Sequence, residues 1–211
     1  MHCKTTACVI TMVLLTACGA AVTGAPVATA KGAATTTPAT AKAGQQAAVD
    51  HLVQPGSTAE LAEQAAVHCG DPVKGARCEA GDYDVELLVD CGRGGFFAGV
   101  ANENGAVLVD KAPPEDTIER ATLPQGQIAC IQAIARAGQD PAWYYVTAMP
   151  VASIEACASN PLCVTYGDRK VEWRIPHEGA TCHSIGPGRY AGACASGWVR
   201  ASDLDVFSNG M

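Results

Sequence analysis

Asp82-Tyr83-Asp84-Val85-Glu86-Leu87-Leu88-Val89 decides the fold class. Tyr83, Val85, Leu87 and Val89 fall on one side of an extended chain. Asp82, Asp84 and Glu86 fall on the other, with Leu88. A period of two predicts a strand with one wet face. Downstream, Cys91-Gly92-Arg93-Gly94-Gly95 predicts a reversal, and Phe96-Phe97-Ala98-Gly99-Val100 predicts a returning strand. Asn104-Gly105 is a strong hairpin signal and leads into Ala106 to Val109. The stretch therefore predicts an antiparallel β-meander of three strands. Upstream, Leu61, Ala65 and Ala66 predict a short helix within 59–68. Ser57 is its N-cap, and Glu60 completes a capping box.

Farther along, 115–121 predicts a brief helical turn. The stretch 126–136 admits two readings. Ile128, Ile131 and Ile134 fit a helical face, whereas Ile128-Ala129-Cys130-Ile131 reads equally as a strand. Ala-Trp-Tyr-Tyr-Val-Thr-Ala at 142–148 predicts a strand, as does Lys-Val-Glu-Trp-Arg-Ile at 170–175. A last short strand is expected at 197–200, followed by a 3₁₀ turn at 201–204. The fold class expected is mainly β (α+β).

The N-terminus begins Met1-His2-Cys3-Lys4, continues with an apolar run of 11 residues from Thr5 to Leu15, and reaches Leu15-Thr16-Ala17-Cys18. The run is well short of the ~20 residues that span a bilayer. The pattern resembles the lipobox of bacterial lipoproteins. The resemblance implies that 1–17 is a signal peptide and that Cys18 becomes a lipidated N-terminus. A diacylglyceryl group meets the two-chain requirement for stable anchoring. Gly19, rather than Asp, implies an outer-membrane location facing the periplasm. Residues 18–48 comprise that Cys and an Ala/Thr/Gly/Pro stretch with Lys31 and Lys42 as its only charges. It reads as a disordered tether. As a coil it would span on average about 30 Å, and fully extended at most roughly 100 Å.

Of 11 cysteines, Cys3 and Cys8 would leave with the signal and Cys18 would take the lipid. Cys69, Cys78, Cys91, Cys130, Cys157, Cys163, Cys182 and Cys194 remain. An even number in an exported domain predicts a disulfide framework. Ser159-Asn160-Pro161 and Gly186-Pro187-Gly188 favour the short loops Cys157–Cys163 and Cys182–Cys194. The other four leave three pairings open. No CxxC occurs, which speaks against a thiolate zinc site. With aromatics at 5% of the chain, such bonds matter, since each typically contributes ~2–4 kcal/mol.

All 21 acids lie at or beyond Asp50, whereas three of the 14 Lys and Arg precede it, so the region beyond residue 48 carries −10. That balance excludes a phosphate-backbone binder, so no nucleic-acid partner is expected. It would steer a basic partner towards the domain.

Gly167-Asp168-Arg169-Lys170-Val171-Glu172-Trp173, followed by Ser196-Gly197-Trp198-Val199-Arg200-Ala201-Ser202-Asp203-Leu204, resembles bacterial SH3-like domains. Two frames fit. One spans Asp168 to Gly197. The other begins near residue 106, uses Leu123-Pro124-Gln125-Gly126 and Trp143-Tyr144-Tyr145-Val146 as earlier strands, and carries an insertion with Cys157 and Cys163. The organisation expected is 49–112 as helix plus meander and 113–211 as a small SH3-like β-barrel. The resemblance implies an aromatic-lined groove for peptides or cell-wall strands. Trp143, Tyr144, Tyr145, Trp173 and Trp198 are its candidate lining.

Motifs for chemistry are lacking. His177 and His183 are six apart, not the four that HExxH needs. Gly92-Arg93-Gly94-Gly95 lacks the Lys-Ser/Thr of a phosphate loop, and no Gly-x-Ser-x-Gly elbow occurs. Asp82, Asp84 and Glu86 read as a strand's wet face, not a calcium loop. The expectation is a non-catalytic periplasmic binding lipoprotein without cofactor or metal. Its partner would be peptidoglycan or an envelope protein. The alternative is an inhibitor or immunity lipoprotein that neutralises a basic bacteriolytic enzyme.

Overall fold

Cys130-Ile131-Gln132-Ala133-Ile134-Ala135 lacks a charge, and all six residues are buried. A strand this apolar is covered on both faces and belongs in the middle of a sheet. The computed structural model describes residues 57–71, 77–92, 94–112, 116–177, 179–186 and 189–207. The proposed signal peptide, Cys18 and the tether lie outside the described residues. Helix α1 (Thr58–Gln64) is followed by β1 (His68–Cys69), β2 (Cys78–Ala80), β3 (Tyr83–Leu87), β4 (Phe96–Val100), β5 (Ala106–Val109), β6 (Glu119–Leu123), β7 (Ile128–Ala137) and β8 (Asp140–Ala148). Then come α2 (Leu162–Thr165), β9 (Glu172–Trp173), β10 (His183–Gly186), β11 (Arg189–Ala191), β12 (Ser196–Arg200) and β13 (Leu204–Val206).

The protein is mainly β. Eleven strands form one antiparallel sheet in the order β1-β2-β3-β7-β8-β12-β5-β6-β9, with β4 bonded to both β7 and β13. β10 and β11 make a separate hairpin. No closed barrel is seen among the described residues.

The three strands expected at 83–109 form, but they are not a meander. β3 pairs Asp84–Leu87 with Arg136–Ala133, and β4 pairs Phe96–Gly99 with Ile131–Ile128. β8 occupies the other edge of β7, so β3 and β4 lie in line along one edge as a single interrupted strand. The glycine-rich stretch between them makes a detour instead of a reversal. Leu88 N–H still donates to the Gln132 carbonyl at 2.7 Å, and Gly92 N–H donates to Asp90 Oδ1 at 2.6 Å. The Cys91–Cys130 disulfide fastens the detour to β7. The physical reason is the length of β7: its edge offers ladder groups along ten residues, and two short strands in line satisfy them. The hairpin expected at Asn104-Gly105 is replaced by a turn over Asn102–Gly105, closed by the Gly105 N–H on the Asn102 carbonyl at 2.9 Å, with Gly105 at φ +81°. It delivers β5 to β6 and β12 rather than to β4.

Two other expectations change. The helical turn expected at 115–121 gives way to β6, whose Ala121 and Leu123 are buried against β5; residues 113–115 lie outside the described residues. The open reading of 126–136 resolves as strand. A bulge leaves Gln132 out of the ladder with β8, where Ile131 pairs with Val146 and Ala133 with Tyr145, although Gln132 Oε1 accepts from the Thr147 hydroxyl at 2.6 Å. The bulge shifts the side-chain parity, so Ile131 and Ile134 share one core cluster despite being three apart. That accounts for the helix-like step from Ile131 to Ile134, whereas Ile128 faces a different cluster.

Helix α1 starts as expected. Ser57 Oγ accepts from Glu60 N–H at 3.3 Å. It ends in a Schellman motif: Val67 N–H donates to the Ala62 carbonyl (2.8 Å) and Ala66 N–H to the Glu63 carbonyl (3.2 Å), with Ala66 at φ 53°. Leu61, Ala62 and Ala65 pack on one face of the sheet with Tyr145 and Trp198. The opposite side of β8, carrying Tyr144, Val146 and Ala148, belongs to the second cluster. Four disulfides cross-link all eight expected cysteines: Cys69–Cys78, Cys91–Cys130, Cys157–Cys163 and Cys182–Cys194. Both favoured short loops are among them.

Candidate functional site

β8 ends at Ala148 and β12 begins at Ser196, and the long connection between them, 149–195, adds β9 to the sheet beside β6 on its way. The segment packs Met149, Ile154, Tyr190 and Cys194 against Phe97, Ile128, Cys130 and Phe207. Cys157–Cys163 closes its first loop and Cys182–Cys194 its last. Burial raises the Tyr190 hydroxyl above the usual range, partly offset by the hydrogen bond from Ser153.

Between this segment and the end of the sheet lies a cavity of about 580 Å³. Small side chains leave the room: Ala148, Ala193 and Ala195 line it with Met149. Val171 and Trp173 form an apolar wall. His177 also lines it and stacks on Trp173, with ring centroids 4.2 Å apart at 24°. Gln127, Asp168, Arg169, Lys170 and Thr181 supply the polar lining.

Arg169 is held from several sides. Its N–H donates to Gln127 Oε1 at 2.7 Å. The guanidinium donates to the Asp168 carbonyl at 3.0 Å and to the Thr165 carbonyl at 3.2 Å. It lies so close to Gly126 and Gly167 that a Cβ on either would come within 3.1 Å of it. Gly126 also sits at φ +79°, where a side chain would be strained. Asp168 points elsewhere: its Oδ1 accepts the Val151 N–H at 2.8 Å.

The five rings expected to line one groove are dispersed. Trp198 is fully covered, at 0% exposure, and its Nε1 donates to the Ala65 carbonyl. Tyr145, at 1%, meets it edge to face at 5.6 Å. Burial raises the Tyr145 hydroxyl above the usual range, with Ser196 and Arg120 acting in the opposite sense. Tyr144 is buried in the other cluster, as the alternation of β8 demands. Trp143 is half-buried, with the Arg200 guanidinium 5.5 Å from its ring centre. Trp173 alone of the five lines the cavity. A fully covered ring has no face to offer a ligand, so Trp198 and Tyr145 serve as core. Sequence reasoning missed the alanine floor and the polar lining. Arg169-Lys170 is the one adjacent pair of cations in the chain, and that was the available signal.

The His and Cys residues around 177–183 are otherwise engaged. Cys182 is in a disulfide, and His183 Nδ1 lies 2.8 Å from the Thr181 carbonyl. Among the described residues no group of three or more His, Cys, Asp or Glu side chains could hold a metal ion, and no helix is long and apolar enough to cross a membrane. No protein-family model, no curated protein and no solved structure matches the chain.

Proposed function

We propose that the chain is a lipid-anchored, non-catalytic binding protein of a bacterial cell envelope, held at the outer membrane and facing the periplasm. Its partner is a peptide, a cell-wall strand or an envelope protein. The observation that carries this reading is the cavity, with its apolar floor, aromatic wall and pair of cations. The lipobox at Leu15-Thr16-Ala17-Cys18 supports the anchor. Four disulfides agree with an oxidising compartment.

The reading includes an SH3-like unit; the sequence suggests a frame at Asp168–Gly197 or one from near residue 106, and the strand pairing favours a start farther upstream, at β4. Closing a sheet into a barrel pairs its first strand with its last. In support, β4 pairs with both β13 and β7, and β7, β8 and β12 then follow side by side. A 3₁₀ turn at Ala201–Asp203 separates β12 from β13. The β5–β6 hairpin fills the connection after β4, and 149–195 fills the one between β8 and β12.

Retention of the full chain on purified cell wall tests the reading. Trp173→Leu should weaken retention by about fivefold or more while the fold survives, because it removes an aromatic wall of the site. Unretained wild-type protein, or undiminished retention of the variant, would sink it.

One observation favours the inhibitor alternative. Glu79 stands directly opposite Asp84 on exposed positions of β2 and β3. Like charges placed in this way cost stability. A basic partner such as a bacteriolytic enzyme would relieve the repulsion. This alternative predicts tight, salt-sensitive 1:1 binding to such an enzyme, weakened by Glu79→Gln with Asp84→Asn.

A further inference from the structure

We infer that the cavity is an anion site: it takes a small ligand with a carboxylate or phosphate on an apolar-faced body, and the acid group meets Arg169 and Lys170. The inference rests on the binding reading above and specifies its ligand.

The charge pattern comes first. Beyond residue 48 the chain carries −10, yet its one adjacent pair of cations stands at this cavity. Two cations elsewhere have acid partners: Arg136 lies 3.3 Å from Glu86, and Arg174 lies 4.0 Å from Glu119. Among the described residues neither Arg169 nor Lys170 has such a partner. The groups that hold the Arg169 guanidinium are the carbonyls of Thr165 and Asp168, which orient it without cancelling its charge. A fixed guanidinium loses little freedom when it binds a planar acid group.

The other polar groups of the lining are largely committed. Gln127 donates through Nε2 to the Ile128 carbonyl and accepts through Oε1 from Arg169 N–H. Asp168 accepts from Val151. Asp168 keeps its negative charge, so Arg169 and Lys170 leave the lining with a net positive charge beside apolar surface from Ala148, Ala193, Ala195, Val171 and Trp173. A cationic ligand would meet repulsion here. An acid without an apolar body would leave the floor unused. The volume of about 580 Å³ lies in the range of small-ligand sites.

Two trios of probes, titrated calorimetrically into the purified full chain with its disulfides intact, test this. One is N-acetylglucosamine, N-acetylmuramic acid and N-acetylglucosamine 6-phosphate. The other is benzyl alcohol, benzoate and phenyl phosphate. In at least one trio an acid should bind about tenfold tighter than the neutral member, and the stronger acid group tells carboxylate from phosphate. The preference should vanish in Arg169→Gln/Lys170→Gln. Because Arg169 also braces the backbone at Thr165 and Asp168, Lys170→Gln alone serves as the milder variant and should lose about threefold. Equal binding of neutral and acid probes overturns the inference, as does an acid preference that survives the double variant. Failure of all six probes overturns it as well. Retention on cell wall, measured separately, then shows whether the broader binding reading stands without it.

Discussion

The indole of Trp198 donates to the carbonyl of Ala65 at 2.8 Å, across 133 residues of chain. This bond joins the end of the first helix to a central strand near the C-terminus. Trp198→Phe keeps a ring in place but leaves a buried carbonyl at the helix end without its donor. We expect a loss of about 2 kcal/mol in urea unfolding, and about 3–5 kcal/mol for Trp198→Ala. Trp198→Phe should leave affinity for the cavity probes unchanged, since the ring lies on the other side of the sheet.

Ala66 occupies the left-handed position of the Schellman motif, which glycine adopts without a steric penalty. Ala66→Gly should stabilise the protein by about 0.5–1 kcal/mol, after allowance for the freer unfolded chain. A rise in urea midpoint with unchanged slope is the expected signature. A fall would mean that the helix end is held by the Trp198 bond regardless of backbone preference.

Gly99 lies under the Tyr166 ring: a Cβ there would stand 1.9 Å from a ring carbon. Tyr166 packs on Phe207, with ring centres 5.3 Å apart, and its hydroxyl donates to Asp205 at 2.9 Å. Gly99→Ala should therefore cost about 2–3 kcal/mol by forcing that ring away. In a double-mutant cycle, Gly99→Ala should cost much less in a Tyr166→Ala background. Additive losses would show that the strain lies in β4 itself.

Alkaline pH should unfold the protein by a path set by its tyrosines. Burial raises Tyr145, and Tyr144 and Tyr190 likewise, above the ordinary value of 10.0. In the folded state these hydroxyls keep protons that the unfolded chain releases. Their contribution to stability is complete below pH 10 and falls as pH rises from there through the folded-state values. Thermal midpoints should decline over that window, with tyrosinate absorbance appearing together with unfolding. Tyr145→Phe should flatten the decline.

The sequence makes local features legible and non-local ones obscure. Ser57 as a helix cap and the strands at 142–148 and 197–200 depend on neighbouring residues, and they are readable there. The short disulfide loops are local in the same sense. Pairing is different. The alternation at 83–89 predicts a strand but says nothing of its partners, which turn out to be β2 and the distant β7, where Arg136 stands opposite Asp84. The bulge at Gln132 makes a strand imitate a helix. The aromatic residues mislead as site markers because they are few, and the core takes Tyr145 and Trp198 for itself. The cavity draws on residues from 127 to 195, and its room comes from alanines, which carry no chemical signature.

The two sides of β8 give the domain a polarity. The helix that begins at Ser57 lies against the Tyr145 side, while Ala148, on the side of Tyr144, opens onto the cavity. A change on the Tyr145 side of β8 is therefore felt first by the helix, and a change at Ala148 first by the cavity. One strand thus serves as a partition, with the helix's footing on one side of it and the vacant space on the other.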